Sequence, residues 1–254
     1  MGVLASFLMG LEMLRRNKLR AFLTMLGVII GVMSVTLIVM ISGGFQAFIK
    51  GEFDKVGTRS IFIFFDPGRK GQGETTGSTE GLTLDDVALI QARVPALSEV
   101  VPQIDYGSMR ASLADRKLDD AKVIASAPGF FAIKGASIVA GRFLNSEDST
   151  QSRNVAVIGE EAATALGGSS CIGKLIELPG IVVEVVGITK AESTFGQSSG
   201  KDVVIPIETS VAKWKGGRTV NIIIARPRPE ADLQATMDSI WRVLMEKSGN
   251  RPYY

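Results

Sequence analysis

From Ala21 to Ile49 the chain carries no charged residue. A helix that crosses the roughly 30 Å hydrocarbon core of a bilayer needs about 20 mostly apolar residues, and this run exceeds that length. Within it Phe22, Leu23, Leu26, Val28, Ile29, Ile30, Val32, Val35, Leu37, Ile38, Val39 and Ile41 all favour insertion. At roughly −0.3 to −0.6 kcal/mol each they supply on the order of −4 to −7 kcal/mol. A buried helix in a water-soluble core rarely needs so long a stretch without charge. The run therefore predicts a membrane-spanning helix over residues 20–45.

The residues before it set direction. Arg15, Arg16, Lys18 and Arg20 face only Glu12 within the first twenty positions, giving that segment a net charge of +3. The whole chain of 254 residues sums to +2, so everything after Arg20 sums to −1. The basic character belongs to one short patch and not to a surface of the kind nucleic acids require. Lys and Arg are retained on the cytoplasmic side, which places the N-terminus inside and residues 46–254 outside. Val3, Leu4, Phe7, Leu8, Leu11 and Leu14 recur at helical spacing ahead of the cluster. Residues 1–19 thus read as an amphipathic helix at the inner interface, its cations near anionic lipid. The competing reading is a cleaved signal peptide ending at Ser42-Gly43-Gly44, although signal h-regions are shorter than this run. Gly27 and Gly31 form a G-x-x-x-G, a spacing that lets a second helix approach closely.

Composition removes whole classes of chemistry. There is no histidine, hence no Ser-His or Cys-His pair and few routes to a zinc site. Cys171 is the single cysteine, which excludes an internal disulfide. The pairs Asp85-Asp86, Asp119-Asp120 and Glu147-Asp148 read as helix starts and turns. Gly168-Ser169-Ser170-Cys171-Ile172-Gly173-Lys174-Leu175 approaches a P-loop pattern, but a helix precedes it, a strand follows, and Leu175 replaces the magnesium-binding hydroxyl. No catalytic, metal or cofactor site is expected in this chain.

The outer part reads as mixed α/β. Ser60–Phe65 is a buried strand, Gly68–Gly81 a polar loop, and Leu84–Val94 a helix with Thr83 as its cap and Asp85 and Asp86 in its first turn. Glu99–Ile104 is a strand. Ser108–Ala114 and Leu118–Ser126 form a hairpin around Asp115-Arg116-Lys117. Asn154–Gly159 is a strand, Glu160–Leu166 a helix, and Lys174–Leu178 with Ile181–Ile188 a hairpin about Pro179-Gly180. Val203–Ile205 is a strand, Glu208–Lys213 a helix and Thr219–Ala225 a strand. A helix begins at Pro229 with Leu233, Met237, Ile240 and Leu244 on one face. The expected class is α+β: one N-terminal transmembrane helix and a two-lobed outer domain. One lobe is drawn from residues 57–105 and 202–254, the other from 106–201.

In order along the chain, NKLRAFLTMLGVIIGV, LTLDDV, APGFFAIKGASIVAGRF, NVAVIGEEAATALGG, IGKLIELPGIVVEVVGI and DVVIPIE together resemble the MacB/FtsX-type permeases of ABC transporters. The resemblance implies a first span, a large extracytoplasmic core domain, three later spans beyond Tyr254, and dimers working with a cytoplasmic ATPase. ATP and magnesium would reside on that partner. It further implies mechanical movement of a substrate outside the membrane, a homodimer or heterodimer of permeases in the inner membrane, and scope for a periplasmic partner protein. Arg15, Arg16, Lys18 and Arg20 match the basic lead-in; Pro128, Gly129 and Phe130, and Gly141 with Arg142, match recurring turns of the outer domain. The alternative function is a single-span anchored sensor or binding module.

Overall fold

The computed structural model describes residues 2, 17–56, 60–65, 81–194 and 197–247. The expected interfacial helix and most of the Gly68–Gly81 loop lie outside the described residues. The chain divides into two compact units, residues 1–52 and 53–254.

The first unit is dominated by α1, Lys18–Val56, a helix of 39 residues whose last four belong to the second unit. At 1.5 Å per residue it is about 58 Å long. Its apolar section, Lys18–Ile49, is long and apolar enough to cross a membrane, with none of its side chains buried within the chain. The helix contains the expected 20–45 window and continues eleven residues past it. Gly43 and Gly44 do not stop it, because no proline interrupts the chain before Pro67 and every backbone group can bond within the helix. The hydroxyls are also satisfied internally. Thr24 donates to the carbonyls of Arg20 and Ala21 at 3.0 Å, Ser34 to Ile30 at 2.7 Å and Thr36 to Val32 at 2.8 Å.

The second unit is a nine-stranded mixed sheet. Its strands are β1 (Ile61–Phe64), β2 (Leu97–Leu113), β3 (Arg116–Ser126), β4 (Ile138–Gly141), β5 (Val155–Gly159), β6 (Leu175–Leu178), β7 (Ile181–Thr189), β10 (Asp202–Pro206) and β11 (Ile222–Pro227). The spatial order is β1-β11-β2-β3-β10-β5-β7-β4, with β6 bridging β2 and β7. β3 with β10 and β5 with β7 are parallel; the other pairs are antiparallel. A separate two-stranded ribbon joins β8 (Ser193–Thr194) to β9 (Gln197–Ser198). The helices are α2 (Leu84–Arg93), α3 (Phe130–Lys134), α4 (Ser146–Thr150), α5 (Glu160–Leu166), α6 (Ile207–Lys213) and α7 (Leu233–Lys247), with a 3-10 turn at Gly168–Cys171.

Strand side chains alternate between two faces, and both faces of the central strands are covered. Val100, Val123, Val203 and Ile223 pack into one apolar cluster with Val87 and Ile90 of α2 and Ile240 and Leu244 of α7. Their chain neighbours Val101, Ile124, Val204 and Ile224 pack into a second, with Phe130, Phe131 and Ile133 of α3. Burial on both sides is why VAVIG and DVVIP read as continuous apolar runs rather than alternating ones.

Several elements differ from the sequence reading. Glu99–Ile104 and Ser108–Ala114 are one strand, β2. A register shift between Asp105 and Ser108 absorbs Tyr106 and Gly107. Gly107 takes φ +74° and its N–H donates to the Asp105 carboxylate at 2.8 Å. The expected border between the lobes, at 105/106, falls inside this strand. The β2–β3 turn is Ala114-Asp115, with Ala114 at φ +52°, one step before the expected turn. Thr219 makes only an isolated bridge to Thr83, and β11 starts at Ile222. α7 starts at Leu233 because Asp232 caps it, accepting from the Ala235 N–H at 2.7 Å. Ile240 and Leu244 of the expected face are buried, with Thr236 and Met245 beside them; Leu233 and Met237 are 39% and 42% exposed. The buried stripe keeps the C-terminal half of the expected face and turns away from its N-terminal half.

Candidate functional site

At the head of α1, Lys18 and Arg20 are exposed in the first helical turn, which holds no acidic residue. Cations there oppose the helix dipole, an unfavourable placement worth about 0.3–1 kcal/mol each. Helix stability therefore does not explain them. Arg15 and Arg16 lie outside the described residues. Gly27 and Gly31 share one face four residues apart, and a Cβ at either would meet nothing within 4 Å. Among the described residues no other helix packs against that face.

In the outer body the two glycine turns are points of close approach. A Cβ on Gly129 would sit 1.7 Å from the Glu99 carboxylate. Burial raises the Glu99 pKa, with Arg226 opposing. Arg226 itself donates to the carbonyls of Ala132 and Ile133 at 2.7 and 3.0 Å. The short helix α3 is thus tied at its C-terminal end to Arg226, where its dipole favours a cation, while its N-terminal turn lies close against Glu99. Gly141, at φ +76°, lies against β7: a Cβ there would meet the Val186 carbonyl oxygen at 2.3 Å. One residue on, Arg142 forks onto Asp148 at 2.6 and 3.1 Å. Asp148 also accepts from the Asn145 N–H, and Asn145 caps α4 in return. Burial would push the Asp148 carboxyl up; the Arg142 fork, the Asn145 amide and the charges of Arg142 and Arg153 outweigh it and hold it below the usual range.

The acidic pairs serve structure. Asp86 is 1% exposed, accepts from the Thr83 amide and hydroxyl at 2.7 and 2.8 Å, and pairs with Lys247 at 2.5 Å. Asp119 pairs with Arg110 and Asp120 with Lys201, each at 2.5 Å. The P-loop-like stretch is helix α5, a 3-10 turn and then β6, the reverse of the strand–loop–helix a phosphate loop requires. Among the described residues no cluster of three His, Cys, Asp or Glu is placed to hold a metal. Cys171 is buried, which raises its thiol pKa and lowers its reactivity.

One half-buried group was not singled out by its sequence context. Asp202 opens β10 in register with Lys122, which pairs with Asp105 at 3.5 Å. Burial pushes Asp202 up to about 6, opposed by Lys122 and Lys134 and aided by Asp105. A carboxyl whose folded pKa lies above its unfolded value contributes stability at low pH and loses it as pH rises from about 4 through 6. Asp202→Asn should therefore stabilise the protein at pH 7–8 by roughly 1–2 kcal/mol, allowing for partial exposure, and flatten stability between pH 4 and 7. Thermal melts across that range check it; an unchanged pH profile would contradict the assignment.

A family model for the MacB-like periplasmic core domain matches residues 21–243, most of α1 and all but the last residues of the described outer body. The chain belongs to the MacB-like periplasmic core domain family. The macrolide export ATP-binding/permease protein MacB of Vibrio parahaemolyticus is 28% identical over 248 residues, covering 97% of this chain and 37% of that protein. Its Haemophilus ducreyi counterpart is 27% identical over 258 residues, covering 98% and 35%. The chain thus spans little more than a third of the length of these curated relatives. The fold is that of the periplasmic region of MacB from Actinobacillus actinomycetemcomitans, with a TM-score of 0.66 at 18% identity over 80% of this chain and 90% of that one. The extracellular domain of the noncanonic ABC-type transporter YknZ from Gram-positive bacteria gives 0.64 at 20% identity, covering 76% and 97%. The family match takes in both the apolar N-terminal helix and the mixed α/β body.

Proposed function

We propose that this chain is the N-terminal portion of an ABC transporter permease. Its span anchors the outer body to the inner membrane with the N-terminus in the cytoplasm. ATP hydrolysis on a separate cytoplasmic subunit moves the span, and the outer body carries that motion to a substrate outside the membrane. The chain contributes no catalysis of its own; ATP and magnesium reside on the partner. It works as a homodimer or heterodimer of permeases, with Gly27 and Gly31 facing a neighbouring helix and the basic cluster facing the ATPase and anionic lipid. The observation that carries this reading is the family match that takes in α1 and the outer body together.

Affinity purification of the full chain from membranes should bring down an ABC ATPase. Arg15, Arg16, Lys18 and Arg20 replaced together by Ala should reduce that recovery about tenfold or more while leaving the outer body folded. Full recovery with the quadruple variant would remove the cluster from the coupling interface. No ATPase with the unaltered chain would favour the anchored sensor.

A further inference from the structure

Away from the span, the outer body carries a hollow of about 200 Å³ between the tip of the β2–β3 hairpin and the turn that follows α5. Leu166, fully buried, forms part of its lining; Arg116 and Lys174 stand in it and Asp115 lies beside them. The arginines of the outer body are otherwise engaged. Arg93, Arg110, Arg142, Arg153 and Arg218 form ion pairs. Arg226, Arg228 and Arg242 donate to backbone carbonyls. Among the described residues Arg116 is the one arginine of this body whose guanidinium has neither an ion pair nor a hydrogen bond, and Lys174 has no ion pair either.

Arg116 is nonetheless seated. A Cβ on Gly167 would lie 3.0 Å from its Nη1 and 3.6 Å from its Cζ, so the guanidinium rests on a glycine that leaves it room. Gly167 is at φ +130°, a conformation that disfavours any other residue. A planar fork with free donors suits a carboxylate, and the ammonium of Lys174 adds a second, less directional charge. Two cations beside one carboxylate leave the hollow with a single net positive charge. That balance matches a carboxylate better than a doubly charged phosphate.

We propose that this hollow is a docking site for the carboxylate of an acidic peptide segment on a partner protein, with Arg116 as its fork and Lys174 as its second cation. The site stands independently of the transport reading, since it requires only the outer body.

The test uses the full chain in neutral detergent micelles, labelled with ¹⁵N and titrated with hexaglutamate, hexaglutamine or inorganic phosphate. Hexaglutamate should shift the Arg116 Nε–Hε signal and the Gly167 and Ser170 amides along one saturable curve, weakened by added salt. Followed at Gly167, Arg116→Gln and Lys174→Gln should each weaken that curve about tenfold, the loss of one charge-assisted contact, with unchanged melting temperatures because both side chains are exposed. Hexaglutamine should do nothing. An unmoved Arg116 signal, or a curve indifferent to Arg116→Gln, would overturn the proposal. Phosphate acting at lower concentration than hexaglutamate would overturn the carboxylate assignment.

Discussion

Gly187→Ala is expected to destabilise the outer body by about 3 kcal/mol, the upper range for forcing atoms into a packed site. The added Cβ would fall 2.1 Å from the Arg142 carbonyl oxygen and within 3.1 Å of two further Arg142 backbone atoms. Backbone cannot rotate aside as a side chain can, so β7 and the Gly141-Arg142 turn would have to separate. That movement would also disturb the Arg142 fork onto buried Asp148. For a body of this size the loss corresponds to a melting temperature lower by roughly 6–12 °C. Gly107→Ala is the control. Gly107 has φ +74°, yet its Cβ would meet nothing within 4 Å, so only the backbone strain of about 1–2 kcal/mol applies. Equal losses at the two positions would show that crowding between β4 and β7 is not what requires glycine at 187.

The second large effect concerns the membrane. Replacing Ile29 and Val35 together by Arg should abolish stable integration. Each arginine near the middle of a span costs about 2.5–3.5 kcal/mol, and each lost aliphatic forfeits a further few tenths. The total, roughly 6–8 kcal/mol, matches or exceeds the −4 to −7 kcal/mol that the run supplies. Alkaline carbonate extraction followed by flotation should move the protein from the membrane to the soluble fraction. Gln46→Arg, at the far end of the run, should leave it in the membrane. A double-arginine variant that stays fully integrated would contradict a span centred on residues 20–45. A mature protein that begins near Phe45 would instead make the run a removed signal.

Local patterns made much of this fold readable. Glu160–Leu166, bounded by Gly159 and Gly167, and the hairpin about Pro179-Gly180 have strong punctuation at both ends, and the structure places them within a residue of expectation. Elements without such punctuation were not identified from the residues alone. α3 and α4 are five residues each, too short for a 3.6-residue period to show. β4 is four residues long, ends at a glycine in the left-handed region, and pairs with β7 some fifty positions later. The basic cluster and the glycine pair were visible as spacing. The arginine hollow was not, because its cations come from residues 116 and 174 and meet only when the hairpin reaches the turn after α5.

Sequence alone determined that the chain has one long uncharged run, Ala21–Ile49, preceded by a basic cluster, that a mixed α/β body follows, and that histidine chemistry and an internal disulfide are absent. Transfer of apolar surface and charge is additive along a chain, so composition and spacing suffice for those conclusions. Tertiary structure alone decided the strand order, the union of two predicted strands into β2, the face of α7 that is buried, and which of the described arginines of the outer body lacks a partner. Each depends on contacts between residues far apart in the chain, and no local pattern records which distant surface will be there to meet them.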